Sequence, residues 1–145
     1  MYISYNDLDE MHACRDALTW FSKTFPILER VEITNQTLSF CQNDEWICWL
    51  ACKKSSAYKS WCVDIAIREI EKNNDTDSSN RLRAFSALYS CFLSAASVNN
   101  SDSAIYAANA GAAYVWNDAV TYDRIRQAIF KELRTEAEKV LLAVE

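Results

Sequence analysis

The chain of 145 residues contains only one glycine, Gly111, and one proline, Pro26. Sheets and loop-rich folds need glycine and proline in their turns, so this scarcity predicts long helices joined by short polar connections. A single glycine also excludes the glycine-rich phosphate-binding loops and the nucleophile elbow of hydrolases. We therefore expect one all-α domain over residues 1–145, a bundle of about five to seven helices with at most one short strand pair.

Long apolar runs and an excess of basic residues are also missing. No segment approaches the roughly 18 apolar residues of a membrane span. The first twelve residues, MYISYNDLDEMH, lack the basic and apolar blocks of a signal peptide. The net charge of −5 is mildly acidic, which argues against direct binding to nucleic acid. We expect a cytoplasmic protein with no membrane or nucleic-acid partner, whose thiols stay reduced.

Among the residues that are present, the segment 103–120 is the most helix-prone. It holds six alanines between Ala104 and Ala113 and a single charge, Asp118. Alanine loses no side-chain entropy in a helix, and exposed helices usually carry charge on one side. This segment therefore predicts an alanine-rich central helix around which the others pack.

The spacing of apolar residues predicts the other helices. A first helix, capped by Asn6, Asp7 or Asp9, is expected to run to Phe25. A short helix is expected over residues 26–32, where β-branched residues leave a short strand as the alternative. The polar residues 73–80 form a loop, and the repeat over residues 82–98 is typical of a bundle helix.

Three further patterns concern the remaining helices. Asn43 or Asp44 caps a helix that is apolar throughout residues 46–52, so we expect other helices on several sides of it. The next helix starts at Ser55 or Ser56. One face of it holds Trp61, Cys62, Ile65, Ala66 and Glu69. The C-terminal helix either continues the alanine-rich helix or is capped anew by Thr121 or Asp123. Its apolar stripe consists of Ile125, Ile129, Leu133, Ala137, Val140, Leu141 and Val144.

The six cysteines do not follow a metal-binding pattern. Cys48 and Cys52 lie four residues apart, but the second ligand pair of a zinc site is missing and the only histidine, His12, is distant in sequence. Free cysteine is among the most buried residue types. We expect free thiols in the core, no bound metal and no cofactor. The set comprises Cys14, Cys41, Cys48, Cys52, Cys62 and Cys91.

Acidic and aromatic residues cluster at the start of the helix that follows Asn43. Tryptophan fills helical cores and also anchors interfaces, so these residues have two interpretations. In the first, the tryptophans lie in the core and the acids complement the helix dipole. In the second, they bind a partner with a basic surface, because complementary charge speeds association. That candidate site comprises Asp44, Glu45, Trp46 and Trp49 with the loop acids Asp75 and Asp77.

Two stretches resemble a group of small alanine-rich helical proteins of bacteriophages and bacteria that are described as immunity proteins. NDEWICWLACK (residues 43–53) resembles the acidic-Trp-x-x-Trp-Leu-Ala block of that group. YAANAGAAYVWNDA (residues 106–119) resembles its alanine and aromatic tract, and a charged amphipathic C-terminus follows in both. The resemblance implies a stoichiometric inhibitor of an effector protein and carries over no catalytic residue.

The first functional hypothesis is a non-enzymatic inhibitor that binds a macromolecular partner. It would act as a toxin-immunity protein or as a phage anti-defence factor such as an anti-CRISPR. A second hypothesis is a small enzyme that uses a cysteine or carboxylates between helices, although His12 and Cys14, two residues apart, do not share a helix face. A third is an assembly protein whose apolar helices complete a homo-oligomer.

Overall fold

The structure, a computed structural model, describes residues 1–26, 30–72, 109 and 119–143. Six helices and one two-stranded sheet lie within this part of the chain, which confirms the mostly helical fold expected from composition. The predicted loop 73–80, the helix over 82–98 and the central alanine-rich helix lie outside the described residues, apart from Asn109 and the last two residues of that segment. In chain order the elements are β1 (Tyr2–Ile3), α1 (Tyr5–Glu10), α2 (Arg15–Thr24), β2 (Val31–Glu32), α3 (Asn35–Ser39), α4 (Asp44–Lys54), α5 (Ser56–Lys72) and α6 (Ala119–Ala143).

The first helix begins at Ser4 and not at one of the expected acidic or amide caps. The Ser4 hydroxyl accepts a hydrogen bond from the Asp7 N–H at 3.1 Å, and the Asp7 carboxylate accepts one from the Ser4 N–H at 2.8 Å. This reciprocal capping box satisfies two backbone donors at the start of α1. The hydrogen bonds from Ser4 lower the pKa of Asp7.

The helix that was expected to continue to Phe25 is interrupted by His12, which has a positive φ of 62°. The His12 N–H donates to the carbonyl of Asp9 at 2.9 Å, and the Ala13 N–H donates to that of Leu8 at 2.9 Å. These two bonds form a Schellman motif, in which glycine usually occupies the left-handed position. The chain has no glycine here, so the end of α1 left no signal in the sequence.

Residues 31 and 32 form a strand, the alternative to the short helix expected over residues 26–32. Residues 27–29 of that range lie outside the described part of the chain. β2 pairs antiparallel with β1, in the register Tyr2 with Glu32 and Ile3 with Val31. The ladder continues through the Ile33 N–H, which donates to the carbonyl of Met1 at 2.9 Å. Ile3, Val31 and Ile33 are all buried, so core packing of β-branched residues favours the strand here.

Helix α6 packs along both α4 and α5 and also contacts α3. The Tyr58 hydroxyl, fully buried, donates to the carbonyl of Leu133 at 2.8 Å and so joins α5 to α6. Thr121 and Asp123 lie within α6 (Ala119–Ala143), so neither occupies an N-cap position. The predicted stripe is confirmed for Ile125, Ile129, Leu133, Ala137 and Leu141, which are buried, and Val140, which is partly buried; Val144 lies outside the described residues.

The buried face of α5 differs from the prediction at one residue. Cys62, Ile65, Ala66 and Glu69 are buried as expected, whereas Trp61 is 46% exposed. Tyr58, one turn before Cys62, is buried on that face. Since Trp61 and Tyr58 are three positions apart, the buried stripe includes Tyr58 in place of Trp61.

Four of the five described cysteines are buried, as expected: Cys41, Cys48, Cys52 and Cys62. Cys14 is exposed at the start of α2, which corrects its assignment to the core. All five are free thiols, and Cys91 lies outside the described residues.

Candidate partner-binding cleft

A cleft of about 470 Å³ lies between the start of α4 and the first half of α6. Helix α2 contributes one tryptophan to its wall, and the connection between α3 and α4 contributes two amide side chains. The lining therefore combines aromatic faces with charged and amide groups. It consists of Trp20, Gln42, Asn43, Asp44, Glu45, Trp46, Arg126, Gln127 and Phe130.

The start of α4 positions three of these residues. The Asn43 side-chain oxygen accepts hydrogen bonds from the N–H groups of Glu45 at 3.0 Å and Trp46 at 3.3 Å, so Asn43 is the N-cap, as predicted. Asp44 and Glu45 follow in the first turn, where the positive end of the helix dipole favours carboxylates. The cap therefore fixes the backbone that carries both acids.

Both acids form ion pairs with arginines of α6. Arg134 Nη1 lies 2.8 Å from Asp44 Oδ1, and Arg126 Nη2 lies 2.5 Å from Glu45 Oε1. These pairs join residues 90 and 81 positions apart in the chain. The acids thus serve in the contact between α4 and α6, and each keeps about two fifths of its side chain exposed, 42% for Asp44 and 39% for Glu45.

Arg134 lies at the base of this contact and has three acceptors. Besides Asp44, it donates to Glu138 Oε1 at 3.0 Å and to the carbonyl of Leu38 at 3.1 Å. Burial alone would lower the pKa of Arg134, but the hydrogen bonds to Asp44 and Glu138 outweigh it and raise the pKa. The guanidinium therefore stays charged and connects α3, α4 and α6.

Arg126 lies in the wall of the cleft itself. Its Nε donates to the side-chain oxygen of Asn109 at 2.6 Å, while Nη2 bonds Glu45. The guanidinium carbon lies 4.7 Å from the centre of the Phe130 ring. Arg126 is therefore held by a carboxylate, an amide and an aromatic face together.

A row of four aromatic rings, which we call the aromatic ridge, leads from the cleft to the surface. Trp46 lies 5.9 Å from Trp20, which lies 6.0 Å from Phe25 in an edge-on arrangement. Phe25 in turn lies 6.2 Å from Phe40, which is 48% exposed. The inner rings of the ridge pack against the core and its outer end is open to solvent.

The structure brings together only part of the predicted binding set. Asp44, Glu45 and Trp46 line the cleft, but Trp49 does not. Trp49 lines an apolar cavity of about 80 Å³, whose wall also includes Trp20 and Trp46. The Lys53 ammonium lies 5.6 Å above the Trp49 ring. The two loop acids, Asp75 and Asp77, lie outside the described residues.

Sequence reasoning missed three residues of the lining, Trp20, Arg126 and Phe130. It also missed Arg134, which pairs with Asp44. One signal was available, because Arg126 and Arg134 are eight positions apart and so lie about two turns apart on one side of a helix. Nothing in the sequence connected these arginines with the acids of α4.

The buried cysteines are poor nucleophiles. Burial raises the pKa of Cys48 to about 12, and it also raises the pKa of Cys41. Since the thiolate is the reactive form, these groups are protonated and unreactive at neutral pH. Within the described residues, no group of three or more His, Cys, Asp or Glu side chains is arranged to hold a metal ion.

Comparison with known proteins returned no relative. No protein-family model, no curated protein and no solved structure matches this chain. The resemblance of residues 43–53 and 106–119 to immunity proteins therefore stays a prediction. In the part of the chain that the structure describes, no helix combines the length and apolar character needed to cross a membrane.

Proposed function

We propose that this protein acts by binding another protein, as a non-enzymatic inhibitor in conflict between bacteriophage and bacterium or between bacteria. A phage anti-defence factor such as an anti-CRISPR, or a toxin-immunity protein, is the form that such an inhibitor would take. The observation that supports binding is the cleft together with the aromatic ridge that ends at exposed Phe40. The biological setting rests on the resemblance noted for residues 43–53 and 106–119.

The composition of this surface favours a protein partner. Aromatic side chains surrounded by polar groups are typical of the residues that dominate interface energies. The inner rings of the ridge are already fixed by their neighbours, so docking would cost little side-chain entropy. The ion pairs of Glu45 and Asp44 likewise hold the charged rim in place before a partner arrives.

The state of the thiols weighs against the alternative of a cysteine-dependent enzyme. Cys48 is fully buried and its pKa of about 12 keeps it protonated. A nucleophilic cysteine needs the opposite, a depressed pKa and access to substrate. The state of Cys41 and Cys48 therefore weighs against an enzyme that would use either of these two thiols.

Capture of partners from a bacterial lysate by the tagged protein tests the proposal. The informative variants are Phe40→Ser at the end of the ridge and Glu45→Gln in the cleft. The matched control is Trp61→Ser, which removes an equally exposed aromatic residue from α5. We expect both test variants to lose a partner that the wild type and the control retain, while thermal unfolding shows all four proteins folded.

Inhibition of the captured partner completes the test. Titration should abolish the activity of the partner at a fixed molar ratio, as for a stoichiometric inhibitor. A partner that all variants capture equally, or whose activity disappears at far less than stoichiometric amounts, would contradict the proposal. Light scattering of the isolated protein at several concentrations tests the homo-oligomer alternative, which predicts a mass above that of the monomer.

A further inference from the structure

We propose that the cleft receives an arginine side chain of the partner protein, which packs against the Trp20–Trp46 pair and donates to the carboxylate of Glu45. This inference rests on the proposed function and specifies the chemistry of its partner. Four observations support it. The cleft has oxygen atoms that accept no hydrogen bond among the described residues, a net negative charge and two indole rings, and Arg126 of the chain itself already lies in a comparable environment.

The rim of the cleft offers acceptor oxygens without donors. Arg126 bonds Oε1 of Glu45 and Arg134 bonds Oδ1 of Asp44, so among the described residues Oε2 and Oδ2 accept no hydrogen bond. Gln42 uses its Nε2 to donate to the carbonyl of Ser39 at 3.3 Å, and its side-chain oxygen likewise has no donor in the described part of the chain. A guanidinium carries five N–H donors and no acceptor, so it can donate to these three oxygens.

The charge of the lining also favours a cation. Two carboxylates, Asp44 and Glu45, line the cleft against one guanidinium, that of Arg126. Arg134 pairs with Asp44 from outside the lining and also with Glu138, so the three carboxylates and two guanidiniums of this network still leave one negative charge. The other polar lining residues are neutral amides. An anionic ligand would be repelled by this negative charge, whereas a basic side chain would be attracted to it.

The aromatic faces select arginine over lysine. Trp20 and Trp46 lie 5.9 Å apart with their planes inclined by 52°, and both line the cleft. A planar guanidinium stacks on an indole face while its edge still donates to a carboxylate, whereas an ammonium is a compact and strongly hydrated charge.

Arg126 shows that this surface already accommodates a guanidinium in that way. It lies over the Phe130 ring at 4.7 Å while donating to Oε1 of Glu45. An incoming arginine would repeat the arrangement on the other side of the same carboxylate, with Oε2 as its acceptor and Trp46 as its aromatic face.

Nuclear magnetic resonance of the indole N–H groups tests this inference on the intact protein. The probe is N-acetyl-arginine methylamide, and the control is the citrulline analogue, which has nearly the same shape and no charge. We expect the arginine probe to shift the Trp20 and Trp46 signals, with binding about tenfold weaker for citrulline because the charge-assisted bond and the cation–π contact are lost. Signals are assigned with single Trp→Phe variants.

Two variants make the test specific. Glu45→Gln should weaken binding of the arginine probe about fivefold or more, since a neutral amide replaces the carboxylate. Glu136→Gln is the matched control, because Glu136 is a carboxylate of α6 that pairs with Lys139 and does not line the cleft. Equal binding of arginine and citrulline, shifts confined to other tryptophans, or an unchanged Glu45→Gln variant would overturn the inference.

The two proposals can fail separately. If Phe40→Ser and Glu45→Gln abolish capture but the cleft does not bind the arginine probe, the proposed function stands and this inference is wrong. If the probe binds while capture is the same in every variant, the proposed surface is wrong and the cleft is a site for a free guanidinium compound. Release of the captured partner by excess arginine probe, but not by citrulline, would support both.

Discussion

Replacement of Arg134 by methionine tests whether the contact between α4 and α6 depends on this one guanidinium. Arg134 is only 17% exposed and donates to three acceptors: Asp44, Glu138 and the carbonyl of Leu38. Methionine keeps much of the aliphatic packing of the arginine stem, so the change removes mainly the hydrogen bonds and the charge. We expect a clear loss of stability without a change of fold.

The magnitude follows from the exposure of the partners. Fully buried hydrogen bonds to charged groups contribute about 1.5–3 kcal/mol each, whereas exposed ion pairs contribute about 0.2–1 kcal/mol. The carboxylates of Asp44 and Glu138 are 42% and 33% exposed, so solvent screens both pairs. The Leu38 carbonyl still accepts from the Cys41 N–H at 3.1 Å and is not left unsatisfied. Loss of the two screened ion pairs and the one hydrogen bond should together lower the free energy of unfolding by about 2 kcal/mol in Arg134→Met.

The assay is urea unfolding at neutral pH, followed by circular dichroism and tryptophan fluorescence. Lys139→Met is the matched control, because it removes one positive charge from the same helix. Lys139 is 67% exposed and pairs only with Glu136 among the described residues. We therefore expect Lys139→Met to change the free energy of unfolding by less than about 0.5 kcal/mol. If Arg134→Met lowered the free energy of unfolding no more than Lys139→Met does, the ion pairs would not stabilise the contact between α4 and α6. That result would refute the reasoning.

Three further predictions concern the backbone, a buried hydroxyl and a buried thiol. His12→Gly should raise the free energy of unfolding by about 0.5–1 kcal/mol in the same urea assay, because glycine adopts the positive φ of 62° without strain; a decrease would contradict the Schellman assignment. Tyr58→Phe should lower it by about 1–1.5 kcal/mol through loss of the 2.8 Å bond to Leu133, and a variant as stable as the wild type would show that this bond contributes nothing. The pKa of Cys48 is raised from 9.0 to about 12 in the folded protein. Between these two pH values the unfolded chain binds fewer protons than the folded protein, so the stabilisation from the protonated thiol is complete below pH 9 and is lost as the pH rises toward 12. Between pH 9 and 12, the free energy of unfolding should therefore decrease with pH in both proteins, with a slope about 1.4 kcal/mol per pH unit steeper in the wild type than in Cys48→Ala. Equal slopes for the two proteins would refute this prediction.

The helical class could be predicted from the sequence because it depends on local chemistry. Scarcity of glycine and proline, the cap at Asn43 and the apolar stripe of α6 all act within a single element. The interruption at His12 could not be predicted, since the residue that usually marks it, glycine, is absent. The strand at Val31 appeared only as the alternative, because its partner strand lies almost thirty residues earlier in the chain.

The cleft was decided by the tertiary structure. The sequence identified Asp44, Glu45 and Trp46 as candidates from their position at a helix start, but it gave them no neighbours beyond α4. Packing of α6 against α4 brings two arginines to the acids across 81 and 90 residues of chain. Spacing along a sequence reports which residues share a face of one helix, whereas the pairing of two faces depends on how whole helices dock. That docking places the two acids of the first turn of α4 at the rim of a cleft.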